Sequence, residues 1–477
     1  MHLAKLCKTL QALDKPAMQR LLLFARSPYF KTPDAAVQLL AYMADSHPAF
    51  TEKKINPTAI ARKISQLTDA KKQSNAATML LRTLQHFISI EHWQQQPLAI
   101  DLAALQGWQK LGMADNLHDS AEQLRTKTDN QPEQDLDAFL YRHLCTETMH
   151  NGYMARLTRN THNDLLPVVS TLDAYYAIKK LRYHCELISR HLVVGTAYQP
   201  DNLPYLLQVL QPFTNEQYPY VLLFVNTYQM LAAASFEESV THYLVLKNLF
   251  DHNDASSLSP SLRECFAYLE NHLLYWANKG VAAAQAEQMW CLNTKIKLQM
   301  ILQHGKILPA EFRNPILTAI KNNCQPSWIR TFIDTYGPAL PPEQAATNLA
   351  FAEALYQYAA RQYHLAMPLF QQAQVKNEPI FNAIVRRWQF MCLYEQNPHN
   401  HGPLFDFLDA YDKYLTRNAA ELHRYLPVFH RFIKYAHKLW PAANQKQAEK
   451  NLKELQAEDF FAGKDWLLLH LQNKTGG

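Results

Sequence analysis

Cations carry the most suggestive spacing in this sequence. His423, His430 and His437 recur every seven residues, and each is followed by a second cation, Arg424, Arg431 or Lys438. Seven residues make nearly two helical turns, so such a series lines one face of a helix. Lys434 falls in the same run, and Val428, Phe432, Tyr435 and Leu439 form the apolar stripe that faces the core. Guanidinium and ammonium groups set in a row can hold an acidic peptide, a carboxyl terminus or a phosphate backbone. Arg386, Arg387 and Trp388 lie on the preceding helical pair and extend the row. A plain amphipathic helix with a solvated basic face would show the same pattern.

A second basic cluster sits near the N-terminus. Segment 51–82 holds Lys53, Lys54, Arg62, Lys63, Lys71, Lys72 and Arg82 against Glu52 and Asp69 alone. Its layout reads as a helix over 57–67, a turn, and a helix over 74–93. That matches a helix-turn-helix whose second helix could enter a major groove, with Lys63, Lys71, Lys72 and Arg82 toward the nucleic acid. Asn75, Thr78 and Arg82 would then have to read bases. The competing reading is a solvated basic face on a helical hairpin.

Catalytic motifs are missing. The chain contains no GxGxxG, GxxxxGK[ST], GxSxG or HExxH. Eleven glycines in 477 residues is about 2%, far below the usual ~7%. Phosphate cradles and tight β-hairpins both need glycine. His399 and His401 flank Asn400 in a Pro-rich turn, but no acid or thiol joins them at helical spacing. His143 with Cys145 and His184 beside Cys185 make still weaker pairs, and the adjacent second pair diverges by about 100° on a helix, so it cannot easily share one ligand site. The seven cysteines are widely and irregularly spaced and form no CxxC. They read as buried free thiols in a reducing, cytoplasmic setting rather than as a zinc or disulfide framework. No metal and no cofactor is expected.

The elements that must position these residues are helices. Thr32-Pro33, Asn56-Pro57, Ser259-Pro260 and Asn314-Pro315 each place a capping side chain before a proline, which predicts four helix starts. Leu80, Leu84, Phe87 and Ile88 repeat at helical spacing, and so do Leu203, Leu206, Leu207 and Leu210. Helices are predicted throughout 17–470, among them 281–304, 315–323, 421–440 and 442–470. Pro427 is expected to kink or restart the 421–440 helix. Segment 217–236 is uncharged but carries Pro219, Asn226, Thr227 and Gln229, so it reads as a buried core helix rather than a membrane span. No signal peptide is expected at the N-terminus. The net charge of +5 is too mild for a histone-like polyanion binder.

Two resemblances add to this reading. Ala354, Tyr363, Ala366, Phe370 and Ala373 resemble the tetratricopeptide repeat, with small residues where two antiparallel helices touch; Pro379 stands one place beyond the usual terminating proline. Phe24-Ala-Arg-Ser-Pro-Tyr-Phe-Lys31, and Tyr411-x-x-Tyr414-Leu-x-Arg417-Asn418 followed by Phe429-x-x-Phe432-Ile-Lys434, resemble segments of a family of uncharacterised bacterial all-helical proteins. That resemblance implies a fold and no activity. Ser27-Pro28 should stop a first helix, with Tyr29 and Phe30 pinning the turn into the core.

Together these readings predict an all-α chain: an α-solenoid of stacked antiparallel helical hairpins, tetratricopeptide-like, with an N-terminal helical module. The expected organisation is 1–130, 131–340 and 341–477, with soft boundaries at 126–135 and 337–342. The expected function is a non-enzymatic scaffold that binds another protein, through an acidic or helical segment. Nucleic-acid association through 51–93 is the alternative.

Overall fold

The computed structural model describes residues 2–50, 55–130, 136–154, 165–194, 203–214, 218–256, 258–375, 378–423, 425–440 and 445–476. Among these, twenty-four α-helices and three short 3-10 turns account for the regular structure, with no strand beyond an isolated bridge between Gln303 and Lys306. The chain divides into two compact units, Met1–Tyr175 and Tyr176–Gly477.

The first unit contains α1 (His2–Leu10), α2 (Lys15–Arg26), α3 (Asp34–Ala44), α4 (Pro57–Lys63), α5 (Ala70–Gln94), α6 (Pro97–Leu111), α7 (Ala114–Asp129) and α8 (Leu136–Met154). The unit boundary falls within α9 (Leu166–Val194). The second unit continues with α10 (Leu203–Leu210), α11 (Pro219–Ala232), α12 (Phe236–His252), α13 (Pro260–Asn278), α14 (Ala282–Lys297), α15 (Pro309–Lys321) and α16 (Pro326–Tyr336). It ends with α17 (Pro342–Ala359), α18 (Tyr363–Gln372), α19 (Pro379–Gln396), α20 (His401–Arg417), α21 (Ala419–Leu422), α22 (Leu426–Ala436), α23 (Gln445–Ala457) and α24 (Lys464–Gly476).

Local chemistry explains many of these boundaries. Asn56 accepts the Ala59 amide at 2.8 Å and Ser259 accepts the Leu262 amide at 3.3 Å, each with proline next, as their sequence predicts. Thr32-Pro33 behaves differently: α3 starts at Asp34 with no side-chain cap, and the Thr32 hydroxyl meets that of Thr83 at 3.4 Å. Asn314-Pro315 starts nothing. The helix begins five residues earlier, at Pro309, and Pro315 sits inside α15 as a buried residue. An earlier Leu308-Pro309 step had already supplied the helix start.

The Ser27–Phe30 turn ends α2 with the Ser27 amide on the Phe24 carbonyl at 3.1 Å. Phe30 stacks on Phe24 with ring centroids 3.9 Å apart, but Tyr29 is 84% exposed and pins nothing. The predicted 442–470 helix is two helices. Gly463, with φ of +94°, turns the chain between α23 and α24, and a Cβ there would lie 2.7 Å from the Phe432 ring. The predicted 281–304 helix stops at Lys297, because Gln299 and His304 adopt positive φ.

Packing in the second unit runs mainly between helices close in sequence: α17 on α18, α18 on α19, α19 on α20, α20 on α22. Ala354, Ala366, Phe370 and Ala373 are fully buried, and α17 packs on α18. One continuous core extends from Ile301 to Leu471. It crosses the Pro-rich 337–342 segment, where Leu340 is buried. The last helix reverses this order. From α24, Trp466 and His470 donate to Glu395 of α19 at 2.7 and 2.8 Å, and Asp465 approaches Lys321 of α15 at 3.9 Å. α24 therefore packs back onto helices far earlier in the chain.

Within segment 217–236, α11 covers Pro219–Ala232, and its Val221, Leu223, Phe224 and Met230 are buried; Gln217 lies outside the described residues. Among the described residues, no helix is long and apolar enough to cross a membrane.

Candidate functional site

Break points in the chain divide the heptad of cations. His423 follows α21, His430 lies in α22, and His437 opens a 3-10 turn. Pro427 restarts the helix at Leu426, as expected, so the three histidines do not share one continuous helical face. Arg424 lies outside the described residues.

The remaining cations meet carboxylates from their own chain. Lys434 Nζ reaches Glu458 at 3.0 Å, Arg431 Nε approaches the same carboxylate at 3.7 Å, and Lys438 pairs with Glu454. The Tyr435 hydroxyl also donates to Glu458 at 2.9 Å. Hydrogen bonds from Lys434 and Tyr435 hold the Glu458 carboxyl below the ordinary value, and Lys438 does the same for Glu454. Two acids, Glu454 in α23 and Glu458 just after it, thus pair with cations of α22 and of the 3-10 turn that follows it. Sequence reading missed these partners, although Glu454 and Glu458 stand only four residues apart.

Arg386, Arg387 and Trp388 project from the middle of α19. Trp388 belongs to the core. It is 7% exposed, lies edge-on to Tyr358 at 5.0 Å and stacks with Phe370 at 6.4 Å. An indole packed against α17 and α18 cannot line an open groove. Arg387 is equally shielded, also 7% exposed. Its Nε is sealed from solvent without a hydrogen bond, and so is that of Arg386. Arg386 lies over the Tyr414 ring, 4.5 Å from its centroid. Burial pulls both guanidinia below the ordinary arginine value, opposed only by nearby tyrosine hydroxyls.

The N-terminal cations sit in the open. Lys63 ends α4, Lys71 and Lys72 open α5, Arg82 lies in its middle, and all four are exposed. Lys72 leans toward Asp69 at 3.7 Å. α4 is shorter than predicted and α5 starts earlier, at Ala70, because Asp69 caps it through the Lys72 amide at 2.8 Å. The buried Gln73 amide ties the two helices together, donating to Pro57 O at 2.8 Å and Leu67 O at 3.0 Å. Asn75 is exposed, while the Thr78 hydroxyl turns back to Ser74 O at 2.9 Å. Glu52, Lys53 and Lys54 lie outside the described residues.

A 380 Å³ cavity in the second unit is lined in part by Glu270, Cys291, Lys295 and Glu311. Lys295 Nζ sits 2.9 Å from Glu270 and 2.7 Å from Glu311. Burial opposes its charge, but the two carboxylates outweigh burial and hold its pKa above the ordinary lysine value. Burial likewise drives the Cys291 thiol well up. Neither group is poised as a nucleophile at neutral pH. Among the described residues, no three His, Cys, Asp or Glu side chains are placed to hold a metal ion. His401 instead packs its ring 6.0 Å from Trp440. His143 Nδ1 faces the Thr171 hydroxyl at 3.3 Å, and Cys185 points its sulfur at Phe224 O at 3.7 Å.

No protein-family model matches this sequence, and neither a curated protein nor a solved structure matches it.

Proposed function

We propose that this chain is a non-enzymatic helical-repeat scaffold that binds another protein, recognising an acidic segment of it with the second unit. The α17–α18 pair and its neighbours support the repeat reading. Small residues of α17 and α18 are fully buried, and successive helices pack on one another, as stacked repeats do. The resemblance to uncharacterised bacterial helical proteins adds a fold and no chemistry.

One observation carries the choice of an acidic partner: α19 holds a buried and a half-buried guanidinium that no carboxylate among the described residues answers. The α22 row is a weaker candidate, because α23 already neutralises it. Affinity capture of the full-length chain from its native cell, at physiological salt, tests the reading. It should return an acidic protein in stoichiometric amount. Recovery of none, across several mild conditions, contradicts it.

Nucleic-acid association through α4 and α5 is the second reading, favoured by the exposure of Lys63, Lys71, Lys72 and Arg82. Phosphate contacts by these side chains would make log affinity for mixed-sequence DNA or RNA fall steeply with log salt. Flat, millimolar-range binding ends that alternative.

A further inference from the structure

The second unit matches its other shielded cations. Arg182 grips Glu264 through Nε at 3.2 and 3.0 Å and through Nη2 at 2.7 Å. Lys247 has Glu287, Lys295 has Glu270 and Glu311, and Arg330 has Asp334 and Glu353. Arg313 donates to the Asn348 amide oxygen at 2.8 Å, and Lys321 lies 3.9 Å from Asp465. Arg387, like its neighbour Arg386, is an exception. Its Nε is sealed and unbonded, and the Tyr411 hydroxyl favours its charge. That hydroxyl is already committed, donating to Ala383 O at 2.6 Å.

The Arg387 stem runs beneath Gly463, with Cδ 3.4 Å from where a Cβ would stand. Gly463 leads into α24, whose first turn carries its own acid, Asp465. Arg386 supplies a second guanidinium near Tyr411, with its own Nε sealed and unbonded. A buried charge with no counter-charge is strongly unfavourable. Among the described residues no carboxylate pairs with either guanidinium.

We infer that Arg387, assisted by Arg386, receives a carboxylate of an acidic partner segment beside Tyr411, Tyr414 and Gly463. This rests on the scaffold reading and specifies the chemistry of its contact. The near-closure of Arg387 selects a slim side-chain tip over a phosphate flanked by sugars. The planar guanidinium fork suits the two oxygens of a carboxylate, as the Arg182–Glu264 pair in the same unit shows.

The test is titration of the full-length protein with hexaglutamate, inorganic phosphate and a short single-stranded DNA, read by thermal unfolding and calorimetry. Hexaglutamate should raise the unfolding midpoint saturably. Arg387→Met should bind it at least about tenfold more weakly, yet unfold in peptide-free buffer at a midpoint no lower than the native chain, because an uncompensated charge has been replaced by an apolar stem of similar length. Arg387→Lys should keep part of the binding.

Unchanged peptide affinity in Arg387→Met overturns the inference. So does a drop in its peptide-free midpoint, which would mark the guanidinium as a structural support. Binding of phosphate or DNA through Arg387 as tightly as hexaglutamate overturns the carboxylate assignment. Peptide binding through Arg387 with no partner ever captured contradicts the scaffold reading alone. A captured partner indifferent to Arg387→Met contradicts this inference alone.

Discussion

His272 shows what burial does to a single side chain here. It is 1% exposed, its Nε2 faces the Ser239 hydroxyl at 2.9 Å, and its Nδ1 is sealed without a partner. Burial pushes its pKa down to about 4. The unfolded chain takes up a proton near pH 6.5, whereas the folded chain resists until about pH 4. Stability from this residue is therefore complete above pH 6.5 and lost as pH falls, by on the order of 3 kcal/mol. Urea unfolding from pH 7 to 4 should show that His272→Phe, which keeps the ring and removes the titration, loses less stability than the native chain. Parallel curves would contradict it. Glu395 works in a lower window. Burial opposes its charge, but the bonds from His470 and Trp466 prevail and hold its carboxyl below the ordinary value. Glu395→Gln should cost about 1–3 kcal/mol at pH 7, and the difference should shrink as pH falls below the ordinary glutamate range of about 4.

At the scale of elements, charge pairing and one glycine decide how the C-terminal helices lie. Gly463 combines positive φ with a close approach to Phe432, so Gly463→Ala should lower stability by about 1–3 kcal/mol, measurable by chemical denaturation. Reversing Glu454 in α23 and Glu458 just beyond it, Glu454→Lys with Glu458→Lys, should speed amide exchange across 445–457 by removing the partners of Lys438 and Lys434; unchanged exchange would show that the pairs are incidental. Much of this level was legible in sequence. The Asn56 and Ser259 caps, the restart at Pro427 and the burial of Ala354, Ala366, Phe370 and Ala373 are all local, set within a few residues. What was not legible came from afar. The counter-charges of α22 arrive from a helix beyond a turn. Trp388 and Arg387 are buried by α17, α18 and the Gly463 turn, which no periodicity within α19 can reveal. Asn314-Pro315 misled because a cap-and-proline pair inside an established helix keeps its form while losing its role.

At the scale of the whole molecule, the continuous core from Ile301 to Leu471 ties the C-terminal helices together. Phe370 is fully buried in it, touching Phe351 edge-on at 5.8 Å and stacking with Trp388 at 6.4 Å. Phe370→Ala should cost about 3–5 kcal/mol and lower exchange protection through α17–α20 while leaving residues 2–130 unchanged. A cost confined to α18 would show that the helices unfold independently.

The central claim is that the second unit offers its unanswered guanidinia to an acidic protein. Cross-linking with mass spectrometry on the captured complex tests it most directly. The account predicts cross-links from acidic residues of the partner to residues of α19, α20 and the Gly463 turn. Cross-links confined to α4 and α5 of the first unit would contradict it.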